Sequence, residues 1–164
     1  MIKTDRLILK NIELNDKNDM LDMFLNKEVK KTYMIPDYDD IEKYTKLFNK
    51  FVELSNDSNR FVRGIYLNDT LIGFLNDVEV IGLSVEIGYV ISPKHKGNGY
   101  MTEALKASIK YLLNNGFNEV ICGAFDFNHA SMKVMQKAGM IKLDRTDYVT
   151  YNGQDIKCIY YSFK

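Results

Sequence analysis

Ile91-Ser92-Pro93-Lys94-His95-Lys96-Gly97-Asn98-Gly99-Tyr100-Met101-Thr102-Glu103-Ala104 decides how the rest of the chain is read. Before it, residues 85–90 are a mostly apolar run that reads as a strand. After it, residues 105–113 read as a helix. A strand therefore enters a short glycine-bearing loop, and the loop opens a helix. A helix N-terminus carries unsatisfied N–H groups and a partial positive charge. Glycines let that backbone approach a bulky anion. Lys94, His95 and Lys96 add charge, and Thr102 adds a hydroxyl in the first helical turn. The stretch reads as a cradle for the pyrophosphate of a cofactor. Two glycines also describe a plain tight turn before a well-started helix, so the loop alone leaves both readings open.

The neighbouring sequence narrows the choice of cofactor. A dinucleotide fingerprint has three glycines, and Thr102 stands where the third would be. It also expects an acidic residue after the next strand, whereas Glu119 precedes the run Val120-Ile121-Cys122. A nucleotide-binding oxidoreductase is therefore disfavoured. A P-loop is excluded, because no Gly-Lys-Ser/Thr follows.

The chain has 164 residues, enough for one domain with a substantial core, so residues 1–164 are read as a single domain. Lys plus Arg number 22 and Asp plus Glu number 22, giving no net charge. That balance speaks against a surface evolved for nucleic acid or an anionic membrane. No apolar run reaches the length of a membrane span, and residues 1–6 lack a signal peptide's apolar core, so the expected location is the cytoplasm. Cys122 and Cys158 sit in separate apolar runs and read as buried free thiols. His95 and His129 have no partner at metal-ligand spacing, so no metal is expected.

Taken in order, residues 7–9 read as a strand. Asn15 or Asp16 could cap a helix to about residue 26, and Asp39 or Asp40 a second helix through Phe51. Residues 60–67, 70–80 and 83–92 read as an antiparallel meander. The helix after the glycine loop ends at Asn115-Gly116. Residues 119–126 form a strand that follows a helical crossover, so it should lie parallel to the strand ending at Ser92. A short helix spans about residues 129–138. A hairpin over 140–151 and 155–163, turned at Asn152-Gly153, ends the chain. The class is α+β, with a mixed, mostly antiparallel sheet of about seven strands and about four helices. A parallel pair that splays at its carboxyl ends opens a crevice there. The glycine loop leaves one strand of that pair, and Asn128 and Ser131 leave the other, so both motifs are expected at one mouth.

At this point the chain resembles the GCN5-related N-acetyltransferase superfamily, in particular its ribosomal-protein alanine acetyltransferase branch. Four stretches carry the resemblance, in the right order across the chain: Thr4-Asp5-Arg6-Leu7-Ile8-Leu9-Lys10; Glu86-Ile87-Gly88-Tyr89-Val90-Ile91; Pro93 through Ala104; and Asn128-His129-Ala130-Ser131 through Lys137-Ala138-Gly139-Met140. The resemblance implies a splayed mixed sheet, acetyl-CoA as co-substrate, and acetyl transfer to a primary amine in a ternary complex. The acceptor could be a protein N-terminus or a small amine, and the protein a monomer or homodimer. It implies that main-chain groups of Val90 and Ile91 meet the pantetheine arm. Lys96, Gly97, Asn98, Gly99, Tyr100, Met101 and Thr102 would wrap the pyrophosphate. Asn128 would hydrogen-bond the pantetheine, and Ser131 would sit near the sulfur. Lys94 replaces a usual Gln or Arg, and Met140 a usual Phe. Met135 stands where many members carry the tyrosine that protonates the leaving thiolate, which keeps a second reading open: a non-catalytic acyl-CoA-binding module.

An alkyl amine is mostly protonated at neutral pH, so transfer to it needs a base. Glu86 is the candidate, because alternation puts it on one sheet face with Gly88 and Val90. Burial would raise its proton affinity into a useful range. The competing role is a structural carboxylate bonded to a core hydroxyl or backbone group. Ser131 and a tyrosine from another segment are the candidate acids, and the N–H of Val90 the candidate oxyanion donor. Asp37, Asp39, Asp40 and Glu42 form an acidic group that could attract a cationic amine or simply start a helix. His95, His129 and Glu103 read as solvent-facing or helix-capping.

Overall fold

The computed structural model describes residues 1–164. Eight strands are hydrogen-bonded in the order β1-β2-β3-β4-β5-β6-β8-β7. These are β1 (Ile2–Lys3), β2 (Ile8–Lys10), β3 (Val62–Leu67), β4 (Thr70–Ile81), β5 (Ser84–Ile91), β6 (Glu119–Phe125), β7 (Ile141–Tyr151) and β8 (Gln154–Phe163). The helices are α1 (Lys17–Leu25), α2 (Lys27–Lys30), α3 (Ile41–Asn56), α4 (Tyr100–Asn114) and α5 (His129–Lys137). β5 and β6 are parallel. The pairs β1–β2, β2–β3, β3–β4, β6–β8 and β7–β8 are antiparallel. The class is the expected one.

The counts exceed the expected seven strands and four helices for local reasons. Ile2 and Lys3 fold back to pair with Leu9 and Ile8, a strand too short to show periodicity. Asn26 accepts hydrogen bonds from the N–H groups of Glu28 and Val29 and so nucleates the single turn of α2. Asp16 does not cap α1 with its side chain. Leu14–Asp16 form a 3-10 turn instead, and the Asp16 carboxylate accepts the Glu13 N–H at 2.7 Å. Asp40 caps α3 through the N–H of Glu42, as expected.

The chain divides into two compact units, residues 1–77 with 89–100 and residues 78–88 with 101–164. In the first, α1, α2, α3 and strands β3 and β4 enclose a core of Met20, Phe24, Val29, Tyr44, Phe48, Val62, Tyr66 and Phe74, with Val90 of β5 joining it. Phe24, Phe51 and Phe74 meet edge-on or tilted, with centroids 5.0–6.1 Å apart, a packing that adds about 0.5–1.5 kcal/mol per pair beyond area burial. In the second unit, α4 buries Met101, Ala104, Leu105, Ile109 and Leu112. Val85 and Ile87 of β5 and Val120, Cys122 and Ala124 of β6 are buried too. Their alternates Glu86, Gly88, Ile121 and Gly123 are more open, so the two strands show a covered face and a barer one. A second, smaller cluster of Phe125, Cys158 and Tyr160 lies among β6 and β8.

Candidate functional site

In the first unit the site begins where β5 ends. The Ser92 N–H donates to the Ile72 carbonyl at 2.8 Å. The Val90 carbonyl oxygen lies 2.4 Å from where a Cβ on Gly73 would be, so only glycine fits beneath it. The Val90 carbonyl is therefore packed against the Gly73 backbone of β4. Pro93–His95 make one 3-10 turn. Gly97 and Gly99 follow at φ 81° and 78°, the left-handed region that glycine alone enters without strain. Nothing lies within 4 Å of a Cβ built on Gly97, and on Gly99 only the Arg6 guanidinium, at 3.6 Å. The Asn98 side chain donates to the carbonyls of His95 (3.2 Å) and Lys96 (3.1 Å), closing the loop on itself. α4 starts at the next residue, with its unsatisfied N–H groups behind two bare, open glycines.

That geometry fits a diphosphate, because the surface a Cβ would occupy is clear. Lys96 pairs with Glu28 at 3.2 Å and Lys94 with Asp22 at 3.6 Å, both largely exposed. Such pairs are weak and exchangeable. Met101 is buried, so its contribution to a ligand is its N–H and not its side chain. Thr102 and Tyr100 are half-buried. Asp37 and Asp39 are engaged with Lys30 and Lys43, and Asp40 with its helix cap. The acidic group is thus largely neutralised locally.

In the second unit, Glu86 sits on the barer face of β5. The parallel register couples Ser84, Val85 and Glu86 to Glu119, Val120 and Ile121, so it occupies the first three residues of β5. Gly123 lies two residues beyond Ile121 on the same face and pairs with Tyr160 of β8. A Cβ on Gly123 would meet Tyr160 Cε1 at 2.8 Å and Glu86 Oε1 at 3.5 Å. The bare Cα is what lets phenol ring and carboxylate share this spot. Arg145 of β7 stacks its guanidinium 3.9 Å from the Tyr160 ring centroid. It is held there by Asp147, whose Oδ2 accepts from Nε at 3.0 Å and Nη2 at 2.7 Å.

The Glu86 carboxylate has no hydrogen-bond or ion-pair partner within the chain, so the structural role has nothing to rest on. Burial raises its proton affinity above the usual carboxylate range. The Arg145 charge opposes that, while Glu79 and Asp147 add to it. The negative field is felt nearby. Tyr160 is pushed up to about 12, by burial first and then by Glu86. The thiols of Cys122 and Cys158, both free and buried, are pushed up as well.

Asn128 caps α5, its Oδ1 accepting the Ser131 N–H at 3.2 Å. That leaves the amide NH2 as what Asn128 can offer a ligand. Ser131 is half-buried in the first turn of α5, next to exposed His129. Met135 is fully buried, and its carbonyl accepts the N–H groups of Ala138 and Met140. Position 135 therefore holds a buried apolar side chain. Sequence reasoning missed Arg6 as a neighbour of the loop, and Gly123, Arg145 and Tyr160 as neighbours of Glu86. Alternation from Ile121 could have placed Gly123 on the face of Glu86. Nothing local marks Arg145 or Tyr160.

Known proteins agree with this architecture. The acetyltransferase (GNAT) domain family matches residues 6–141. The uncharacterized N-acetyltransferase YoaA of Bacillus subtilis is 29% identical over 147 residues, covering 87% of this chain and 83% of its own. An acetyltransferase of the GNAT family from Bacillus anthracis superposes with a TM-score of 0.83 at 23% identity, over 99% of this chain and 96% of its own. The ribosomal-protein-S5-alanine acetyltransferase from Vibrio fischeri gives 0.79 at 17%, over 98% and 94%. No helix is long and apolar enough to cross a membrane. With a family match that runs through both units and takes in the glycine loop, Glu86 and the cap of α5, the chain belongs to the GNAT acetyltransferase family, as an N-acetyltransferase enzyme.

Proposed function

We propose that the two units work as one domain that moves an acetyl group from acetyl-CoA to a primary amine, a protein N-terminus or a small amine, by direct transfer in a ternary complex in the cytoplasm. Acetyl-CoA supplies an activated thioester. The N–H groups of residues 97–102, with Lys96, hold its pyrophosphate. Val90 and Ile91 offer main-chain groups to the pantetheine arm, and the Asn128 amide donates to it. The Val90 N–H takes up charge that builds on the acetyl oxygen. Glu86 removes a proton from the acceptor amine. A proton reaches the departing sulfur from water or the Ser131 hydroxyl, and a thiol of pKa near 8.5 asks little of that donor.

One observation carries the catalytic part: a half-buried carboxylate, raised in proton affinity, with no partner of its own. A carboxylate kept for structure has hydrogen bonds, because leaving it without them costs stability. The binding-module alternative rests on Met135. It gains little from that residue, since thiolate departure does not depend on an acid at 135. The test is release of free CoA thiol from acetyl-CoA in the presence of peptide N-termini, polyamines and aminoglycosides. Turnover with at least one amine class is expected. Tight acetyl-CoA binding with no turnover across the panel would favour the binding module.

A further inference from the structure

The opening motif Thr4-Asp5-Arg6-Leu7 has so far no task. It lies far from the glycine loop in sequence yet touches it. Thr4 closes a tight turn: its N–H donates to the Leu7 carbonyl at 3.0 Å, and its hydroxyl accepts the Leu7 N–H at 2.9 Å. Leu7 is buried and fixes the end of that turn. Arg6 projects from it. Its Nη1 donates to the Asn98 carbonyl at 3.0 Å, and its guanidinium carbon lies 4.6 Å from the centroid of the Tyr100 ring. Its Nη2 is the atom nearest to the bare face of Gly99. One planar cation thus grips the residue before Gly99, the residue after it, and the space beside it.

We propose that Arg6 is the positioning residue of the anion cradle, holding residues 98–100 in the conformation that presents their N–H groups to a pyrophosphate. This rests on the loop being the pyrophosphate site. A loop with two left-handed glycines has many alternatives when free, and ordering it costs affinity. A hydrogen bond to the Asn98 carbonyl fixes the peptide that precedes Gly99. Stacking on Tyr100 fixes the first residue of α4. A planar guanidinium can donate from its edge while its face lies on the ring, a geometry that a compact ammonium reproduces only in part. The placement also leaves the cation next to the anion, so the free loop needs no rearrangement to be charged.

The test is acetyl-CoA affinity by titration calorimetry in wild type, Arg6→Gln, Arg6→Lys and Gly99→Ala. Arg6→Gln is expected to weaken binding by about tenfold, the scale of one charge-assisted hydrogen bond. Arg6→Lys is expected to recover less than half of that loss on a logarithmic scale. Tyr100→Leu, which removes the stack and leaves the Thr4 turn untouched, should also weaken binding, and it serves should Arg6→Gln melt early. Affinity within twofold of wild type in Arg6→Gln, or full recovery in Arg6→Lys, overturns the positioning role. If Gly99→Ala also binds unchanged, the loop assignment itself falls. If Gly99→Ala is weakened while Arg6→Gln is not, only the role of Arg6 falls.

Discussion

The glycine loop and the Glu86 patch are built by opposite means. The loop is continuous in sequence, made of main chain and exposed, and Arg6, Asp22 and Glu28 reach it from a distance. The patch is assembled from four strands, made of side chains, half-buried, and has no continuous segment at all. In the loop, glycine supplies a left-handed backbone at residues 97 and 99. In the patch, Gly123 supplies missing volume beside Tyr160 and Glu86. A binding site for a fixed, highly charged group can be made from backbone N–H groups. Proton transfer needs a group whose affinity is tuned, and tuning needs burial and neighbours drawn from different strands.

The sharpest way to separate the two regions is to remove the carboxylate. Glu86→Gln is expected to lower kcat by about 10²–10⁴ with acetyl-CoA affinity kept. The same variant should be more stable at neutral pH. Burial raises the folded proton affinity of Glu86 above its ordinary value of 4.5, so the folded chain holds that proton more tightly than the unfolded chain. Its contribution to stability is then present at low pH and lost as pH rises through the folded value. Glu86→Gln should melt above wild type at pH 7–8, with the gap closing toward pH 4.5 and below.

Alanine at two glycines should give opposite phenotypes. Gly123→Ala places a Cβ 2.8 Å from Tyr160 Cε1 and displaces the ring, with Arg145 stacked upon it. A displacement of that order is expected to lower kcat by about ten- to a hundredfold while acetyl-CoA binds normally. Gly99→Ala meets no clash but must adopt a left-handed φ, at about 1–2 kcal/mol. The free loop relaxes and pays on binding, so affinity should fall by about tenfold with kcat at saturation kept. Calorimetry with steady-state rates distinguishes the two. A loss of kcat in both, or of affinity in both, breaks the division of labour.

The smallest effects belong to the leaving group. Ser131→Ala is expected to cost less than about tenfold in kcat, because thiolate departure needs little acid. Met135→Tyr should not raise the rate. The site is fully buried, and a larger side chain there is expected to destabilise the fold by about 1–3 kcal/mol. A thousandfold loss in Ser131→Ala would show that protonation is the harder half of the reaction.

Most of the architecture was legible because its signals are local. Alternation marked β3 to β6, the pair Asp39-Asp40 announced α3, Asn152-Gly153 turned the last hairpin, and the glycine loop announced α4. β1 and α2 were not legible, since two residues and one turn carry no period. In the candidate site, Glu86 could be placed on a face by counting, but its lack of a partner could not. Tyr160 reaches it through the β6–β8 pairing with Gly123, and Arg145 through a β7–β8 register that shifts between Lys142 and Thr146, neither of which a pattern in the sequence encodes. Met135 stands in sequence where many relatives carry an acid, and the structure adds that its side chain is fully buried in the last turn of α5.

The central claim is that Glu86 is the base, and the pH dependence of kcat/KM tests it most directly. With any acceptor amine that turns over, wild type and Glu86→Gln would be compared across the acid side of the profile. Wild type should lose activity as pH falls, through a limb whose midpoint lies above the ordinary glutamate value of 4.5. That limb should be absent from the residual activity of Glu86→Gln. The same limb in both proteins, with kcat within threefold, would mean that another group takes the proton.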